Sequence, residues 1–370
     1  MKLVVIKSNF KTGLGAIERV SGEGLNLPIL KNVLIEASDN AIRLTATNLE
    51  VATSYRVPGK VIENGKASVP LRVLSDVITN LQSERLNLEK KENSVEIKTE
   101  NYSATLQGLS ADDFPLVPKI KNQKTFLEMS GGVLKEALAQ VISSAQPSEL
   151  RPELSSVLFC FSFESVKLVA TDSFRLSEKT IPESQIKTNH EKEFKILIPL
   201  KTAQELMRIL KEEESVGIYH NENQILFKTE NFELISRLIE GNFPDYSAII
   251  PKAFHAEITV NREEFIQALR LTGVFSTRAN EVRVLAHENK KNIEIFSTDQ
   301  ALGENTYVLP AKNHGKTKEA NFNLRYLLDG LRALKTEDAF LGMNEDNKPA
   351  LLKAPGDASF FYILMPILKT

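Results

Sequence analysis

Apolar residues recur at helical spacing in six stretches of the chain, and between those stretches they alternate with polar ones at the two-residue period of strands. The first helical stretch covers residues 8–20. Phe10, Leu14 and Ile17 share one face of it, and the pattern predicts a helix despite Gly13 and Gly15. Gly22-Glu23-Gly24 supplies the stop. Alternation then runs from Leu27-Pro28-Ile29-Leu30 to Tyr55 and predicts strands. Pro70 opens a second helix with Leu71, Leu74, Ile78 and Leu81 on one face. Strands resume at residues 86–88 and 95–99 and turn at Glu100-Asn101. Asp113-Phe114-Pro115 closes this block, and the Pro/Lys-rich residues 118–124 read as a linker.

The same order is then restated twice. Leu134, Leu138 and Val141 lie 124 residues beyond Phe10, Leu14 and Ile17, and Leu200, Ala203, Met207 and Leu210 lie 129 beyond the second-helix set. Lys228-Thr229-Glu230-Asn231-Phe232 repeats Lys98-Thr99-Glu100-Asn101-Tyr102, and Asn242-Phe243-Pro244 echoes Asp113-Phe114-Pro115. The third copy carries Phe265 and Leu269 in its first helix and Leu324, Leu327, Leu331 and Leu334 in its second, where Asn323 replaces the opening proline. A strand-to-turn phrase marks each copy: Thr47-Asn48, Thr171-Asp172 and Thr298-Asp299. The expectation is an α+β fold of three repeated domains, each two helices on antiparallel sheet, over residues 1–120, 125–249 and 252–370.

Composition adds little to this and removes a good deal. With 42% apolar and 25% charged residues in 370, the chain is that of an ordinary globular protein. The apolar start at residues 1–6 is too short for a signal peptide and no apolar run reaches 18 residues, so no membrane contact and a cytoplasmic location are expected. Cys160, alone in the chain, sits in an apolar run and reads as a buried structural thiol. His287-Glu288 begins as a metalloprotease helix does, but Lys291 stands where the second histidine belongs. Asn64-Gly65-Lys66-Ala67 reads as a hairpin turn, and Asp112-Asp113 before Phe-Pro as turn residues. No catalytic constellation, cofactor motif or metal spacing emerges, so no enzyme and no cofactor are expected.

Charge is unevenly placed. The whole chain carries −2, yet the six predicted helices, read to include Lys211, Glu212 and Lys335, hold thirteen basic against eight acidic residues, a net +5 that leaves −7 for the rest. That segregation predicts basic helix faces on an acidic body. At the other end of the chain, residues 360–364 read as a core strand. Pro366 then stops ladder pairing and leaves Met365, Ile367 and Leu368 on an apolar tail suited to lining a groove for partner peptides.

These residues carry a resemblance. Leu27-Pro28-Ile29-Leu30, Thr47-Asn48-Leu49-Glu50, Arg151-Pro152, Thr171-Asp172-Ser173-Phe174-Arg175-Leu176, Gly241-Asn242-Phe243-Pro244-Asp245-Tyr246 and Met365-Pro366 together resemble the bacterial DNA polymerase III beta subunits, the sliding clamps, over essentially the whole chain. The resemblance implies the DNA clamp fold: three alike domains per chain, and two chains closed head to tail into a homodimeric ring around duplex DNA. It implies as partners the polymerase III catalytic subunit, the clamp loader, and other polymerases and repair proteins that bind through short linear motifs.

By the same resemblance the client-peptide pocket comprises Leu154, Thr171, Ser173, Phe174, Arg175, Leu176, Pro244, Ile249, Asn323, Tyr326, Ile363, Leu364, Met365, Pro366 and Ile367. Of the helix cations, Lys11, Arg19, Arg72, Lys135, Lys201, Arg208, Arg270 and Arg332 are expected to face DNA. A first-domain edge at residues 102–106 is expected to pair with the partner's third domain, leaving Ala104 and Leu106 for the interface. Several positions depart from the family: Ser173-Phe174 where Gly-His is common, Ala248 for a basic residue, Gly24 where an arginine can touch DNA, and Pro152-Glu153 for aromatic residues. Two other readings remain open at this point: a clamp paralogue specialised for a few repair partners, and a nucleic-acid-modifying enzyme whose site is assembled from the repeats.

Overall fold

The computed structural model describes residues 1–22, 27–38, 41–288, 290–345 and 347–368. Six α-helices occur among them: α1 Lys7–Ile17, α2 Leu71–Asn80, α3 Gly131–Val141, α4 Leu200–Ile209, α5 Arg262–Thr272 and α6 Leu324–Ala333. All the strand pairing described is antiparallel and falls into four sheets. Contacts group the chain into two compact units, one of residues 1–132, 187–191 and 208–238, the other of residues 133–186, 192–207 and 239–370.

In the first unit α1 and α2 turn the predicted apolar faces inward. Phe10, Leu14 and Ile17 from α1 and Leu71, Leu74 and Ile78 from α2 are almost wholly buried against Leu3, Ile35, Leu44 and Leu88. Each such side chain contributes roughly 1.5–3 kcal/mol of burial free energy. α1 runs on into a 3-10 turn at Glu18–Val20, so the single helix predicted over 8–20 ends as two elements. In the second unit Phe265, Leu269, Leu327 and Leu331 of α5 and α6 pack in the same way against Ile258, Val284, Ile295 and Tyr362.

Each unit contains one nine-stranded sheet built from strands of two neighbouring repeats. In the first unit Val51–Val57 pairs with Phe232–Arg237, Ala52 standing opposite Ile235. In the second, Arg175–Pro182 pairs with Phe360–Leu364, Leu176 opposite Ile363. The repeat makes Ala52 equivalent to Leu176 and Ile235 to Ile363, so the two junctions share one register. The bonds flanking them agree. Arg56 N–H donates to the Asn231 carbonyl at 2.8 Å where Thr180 N–H donates to Ser359 at 2.7 Å, and Arg237 N–H to Glu50 at 2.9 Å where Met365 N–H donates to Phe174 at 2.8 Å.

The remaining two sheets are smaller. One has five strands and ends at the edge Ser103–Gln107, and the other has four and ends at the edge Gly303–Pro310.

Three expectations need correcting. Asn64-Gly65 is no hairpin turn: Gly59–Glu63 pairs with Lys2–Ile6 in the five-stranded sheet, while Gly65–Pro70 pairs with Asn32–Ser38 in the nine-stranded one. The chain crosses between sheets there, with Gly65 at φ 151 because an added Cβ would sit 3.1 Å from Met1. Lys211, Glu212 and Lys335 lie beyond their helix ends, so the helices and the 3-10 turn after α1 hold eleven basic and seven acidic residues, a net +4. Leu106 is only 6% exposed and belongs to the first core, and Ala104 packs partly against it. Their side chains serve their own domain, and what this edge offers a partner is backbone together with Ser103, Thr105 and Gln107.

Candidate functional site

The strongest local signal in the sequence, Thr171 to Leu176, forms a tight turn at the junction between the second and third repeats. Thr171 Oγ1 donates to the Arg175 carbonyl at 2.7 Å and accepts from Ser173 N–H at 3.2 Å. Asp172 Oδ1 accepts from the N–H groups of Phe174 and Arg175 at 2.9 and 3.0 Å. Thr47-Asn48 makes the same four bonds one repeat earlier, to Val51, Leu49, Glu50 and Val51 in turn. The geometry forces a left-handed residue at the third position, Leu49 at φ 76 and Ser173 at φ 79. A glycine takes that conformation freely, whereas a serine there costs about 1 kcal/mol. Ser173 Oγ accepts from Arg151 at 3.2 Å.

Arg175 is clamped behind this turn. Its Nε donates to Asp172 at 2.9 Å, one terminal nitrogen donates to Asp329 of α6 at 2.6 Å, and the guanidinium lies 4.2 Å from the centre of the Tyr326 ring. Burial works against its charge, but Tyr362, Asp329 and Asp172 outweigh that and hold the guanidinium protonated. The Tyr326 hydroxyl is pushed up, first by burial and then by Asp172. Arg175 therefore fastens the turn to α6 and offers a peptide little free charge. Asn323, also assigned to the pocket, caps α6: its Oδ1 accepts from the N–H groups of Arg325 and Tyr326 at 2.9 and 3.3 Å.

Below the turn lies an apolar floor. Leu176 and Ile363, each 1% exposed, belong to one apolar cluster and shape the site from beneath, whereas Leu364, also 1% exposed, packs on the other face of the sheet in the core with Tyr362, and Leu154 is 5% exposed. Phe243, Tyr246 and Ile250 pack onto Leu176 and Ile363 from the Gly-Asn-Phe-Pro loop. Tyr246 donates to Glu178 at 2.6 Å, and burial with that carboxylate pushes its hydroxyl well above the ordinary range. The accessible rim consists of Phe174, 61% exposed, Ile249, 44% exposed, and the half-buried Pro244, Met365, Pro366 and Ile367. The tail is fixed rather than frayed: Met365 N–H donates to Phe174, Pro366 has no N–H, and Ile367 N–H donates to the Asn321 carbonyl at 2.7 Å. Pro366 and Ile367 border one cavity of about 390 Å³ with Ala320 and Asn321, and Ile249 borders another of about 540 Å³ with Phe254 and Pro349.

Comparison with known proteins decides what this arrangement is. Profiles of the N-terminal, central and C-terminal domains of the DNA polymerase III beta subunit match residues 1–118, 128–245 and 247–368. The chain belongs to the DNA polymerase III beta subunit family. A beta sliding clamp of Synechococcus elongatus is 27% identical over 374 residues, and one from Staphylococcus aureus 26% over 378, each covering 99% of both chains. The crystal structure of the DNA polymerase sliding clamp from Bacillus subtilis matches at a TM-score of 0.95 and 25% identity, covering 100% of both chains.

Among the described residues no cluster of three or more His, Cys, Asp or Glu could hold a metal, and no helix is long and apolar enough to cross a membrane. Burial pushes the Cys160 thiol up to about 11. Of the cations expected to face DNA, Lys11, Arg19, Arg72, Lys201, Arg208, Arg270 and Arg332 are exposed and Lys135 is half-buried. Arg208 and Arg332 make contacts of their own. Arg208 donates to the Gly15 and Ala16 carbonyls at 2.7 and 3.1 Å, and Arg332 lies 3.8 Å from Asp329. Gly24 lies outside the described residues. Glu153 lies 3.2 Å from Arg151.

Sequence reading missed Asp329, Glu178 and Tyr246 as parts of the site. Only their spacing could have shown them: Asp329 follows Tyr326 by three residues on α6 and so shares its face.

Proposed function

We propose that this chain is a DNA sliding clamp: a non-catalytic, cytoplasmic processivity factor whose homodimeric ring encircles duplex DNA and tethers the replicative polymerase and other clients. The single observation that carries the ring is the strand count. Two of the three expected junctions between repeats occur within the chain, and each completes a nine-stranded sheet. A five-stranded and a four-stranded sheet remain, and together they make nine.

Their free edges are the right ones. By the repeat, Ser103–Gln107 is equivalent to Phe232–Arg237 and Phe360–Leu364, while Gly303–Pro310 is equivalent to Val51–Val57 and Arg175–Pro182. Copying the shared register places Glu304 opposite Thr105 of a second chain. Two such contacts, each the reciprocal of the other, close a pair of chains by a twofold axis.

Helices reinforce the third junction. At the two existing junctions Arg208 of α4 meets the end of α1, and Gln140 of α3 donates to the Ala333 carbonyl at the end of α6 at 2.9 Å. The equivalent pair at the third is α5 of one chain and α2 of the other. Leu271 of α5, equivalent to Gln140, is 54% exposed. The end of α2 offers a hollow of about 510 Å³ lined by Val77, Asn80, Leu81 and Tyr102.

On this reading the Phe174, Ile249 and Met365 rim receives client peptides. Methionine suits a site that must accept several sequences, because it repacks cheaply. Exposed helix cations such as Lys11, Arg72, Lys201 and Arg270 draw the phosphate backbone without reading bases. Sedimentation equilibrium tests the assembly. The expected species is twice 41.4 kDa, and a monomer at micromolar concentration would contradict it.

A further inference from the structure

A cavity of about 810 Å³ in the first unit lies under the strap of residues 114–121 at the junction of the first two repeats. That volume is within the range of ligand pockets, about 300–1,000 Å³. Its position in the repeat explains why it is open. The same sheet face in the second unit is filled: Tyr246 descends from the Phe-Pro loop onto Leu176 and Ile363, and its hydroxyl reaches Glu178. At the first junction the equivalent residues are Val117 for Tyr246, Ala52 for Leu176, Thr45 for Val169 and Ser54 for Glu178. Val117, Ala52 and Ser54 are smaller than their counterparts around the aromatic plug of the second junction, and Thr45 exchanges a methyl group of Val169 for a hydroxyl.

The strap is held at its two ends by Phe114, 6% exposed, and Ile120, 3% exposed, while Leu116 between them is 97% exposed. The floor is apolar with a polar centre. Ala52, Leu226 and Ile235 form the apolar part, which Val117 and Ile120 of the strap and Tyr219 cover in part, and the hydroxyls of Thr45 and Ser54 bond to each other at 2.9 Å. Charge around the mouth leans positive. Glu36 is matched by Lys66 at 2.6 Å and Glu233 by Arg43 at 2.9 Å, Asp112 adds one exposed carboxylate, and Lys119 and Lys121 are exposed on the strap, so four cations of the lining stand against three carboxylates.

We infer that this cavity is a second peptide-binding site, which takes an aromatic side chain with a polar tip, tyrosine above all, from an acidic segment of a partner protein. The aromatic side chain would enter the cavity beside Val117, its hydroxyl would reach Thr45 and Ser54, and flanking carboxylates would face Lys119 and Lys121. The inference does not depend on the client pocket at Met365, since it rests on a different junction.

The test uses the full-length chain with methyl-labelled side chains and a blocked Asp-Tyr-Asp tripeptide as probe, followed by NMR. Saturable shifts confined to the Ala52, Val117, Leu226 and Ile235 methyls are expected, with a dissociation constant in the millimolar range. Val117→Tyr and, independently, Ala52→Leu restore the plug of the second junction, and each should weaken binding at least tenfold while the spectrum elsewhere stays folded. Deleting residues 365–370 should leave the shifts intact, and a blocked Gly-Tyr-Gly probe should bind several-fold more weakly. Shifts that Val117→Tyr and Ala52→Leu leave unchanged, or that vanish with the tail, would overturn the assignment, as would equal binding of the uncharged probe.

Discussion

Replacing Thr105 by proline isolates the proposed ring interface from the stability of the domain that carries it. Thr105 is exposed on the edge Ser103–Gln107, and it stands opposite Glu96 of its own sheet. Register copied from the two existing junctions makes Thr105 and Glu304 a pair that exchanges two N–H···O bonds, because the same alternation has Arg237 N–H donating to Glu50 and Arg56 N–H donating to Asn231. The Thr105 N–H therefore points out of its own sheet, where a proline is tolerated in an isolated chain. In the ring the same proline removes one donor and leaves the Glu304 carbonyl unsatisfied, which costs about 1–3 kcal/mol.

The ring contains two such contacts, so the dimer loses about 2–6 kcal/mol, roughly a 30-fold to 20,000-fold weaker association. Sedimentation velocity over a dilution series reads the dimer fraction, and urea unfolding of the same samples reads domain stability. The expected result is a monomer that unfolds as a dilute wild-type chain does. A variant that stays dimeric at nanomolar concentration would refute the register, and with it the assignment of this edge. Leu106→Asp would not serve, because it places a charge in the first core and unfolds the domain that it would report on.

Two other outcomes follow from the same geometry. Deleting residues 365–370 removes the Met365, Pro366 and Ile367 rim but leaves the strand Phe360–Leu364 paired. Binding of a short glutamine- and leucine-containing client peptide, on the order of micromolar at about −8 kcal/mol, should vanish in a fluorescence-anisotropy titration while the dimer persists, and unchanged affinity would remove these residues from the pocket. Cys160, its thiol pushed up to about 11 by burial, should react with iodoacetamide roughly a hundredfold more slowly at pH 8 than in the urea-unfolded chain. Because the folded state raises this pKa, the stabilisation it brings is complete below about pH 9 and is lost as pH rises through about 11. Equal rates in the folded and unfolded chains would contradict its burial.

The helices were legible because their apolar positions keep a fixed spacing through three copies, and the turns because Asn48, Asp172 and Asp299 each accept from the backbone N–H groups two and three residues on. Asn323 was legible too, but its role was not. It stands where Pro70 and Pro199 open the other helices, and its side chain takes over by capping α6. The sheet crossing at Asn64-Gly65 was misread since a two-residue polar turn looks alike whether its flanking strands pair with each other or with different sheets. Leu106 was misassigned because alternation shows that a residue has an inner face without showing whose core that face meets. The resemblance assigns Arg175 to the pocket, and only the fold brings Asp329, 154 residues away, to claim its charge. The open cavity at the first junction was invisible until Val117 and Tyr246 could be seen in equivalent places.

Retention on circular DNA tests the central claim most directly. A ring holds DNA by topology, so its contacts can stay weak. Phosphate contacts strong enough to hold DNA by themselves would be lost steeply with salt. The chain, loaded by its loader and ATP onto nicked circular DNA, should remain bound through a high-salt wash and gel filtration. Linearising that circle with a single cut should release it. Equal retention on circular and linear DNA would contradict the account.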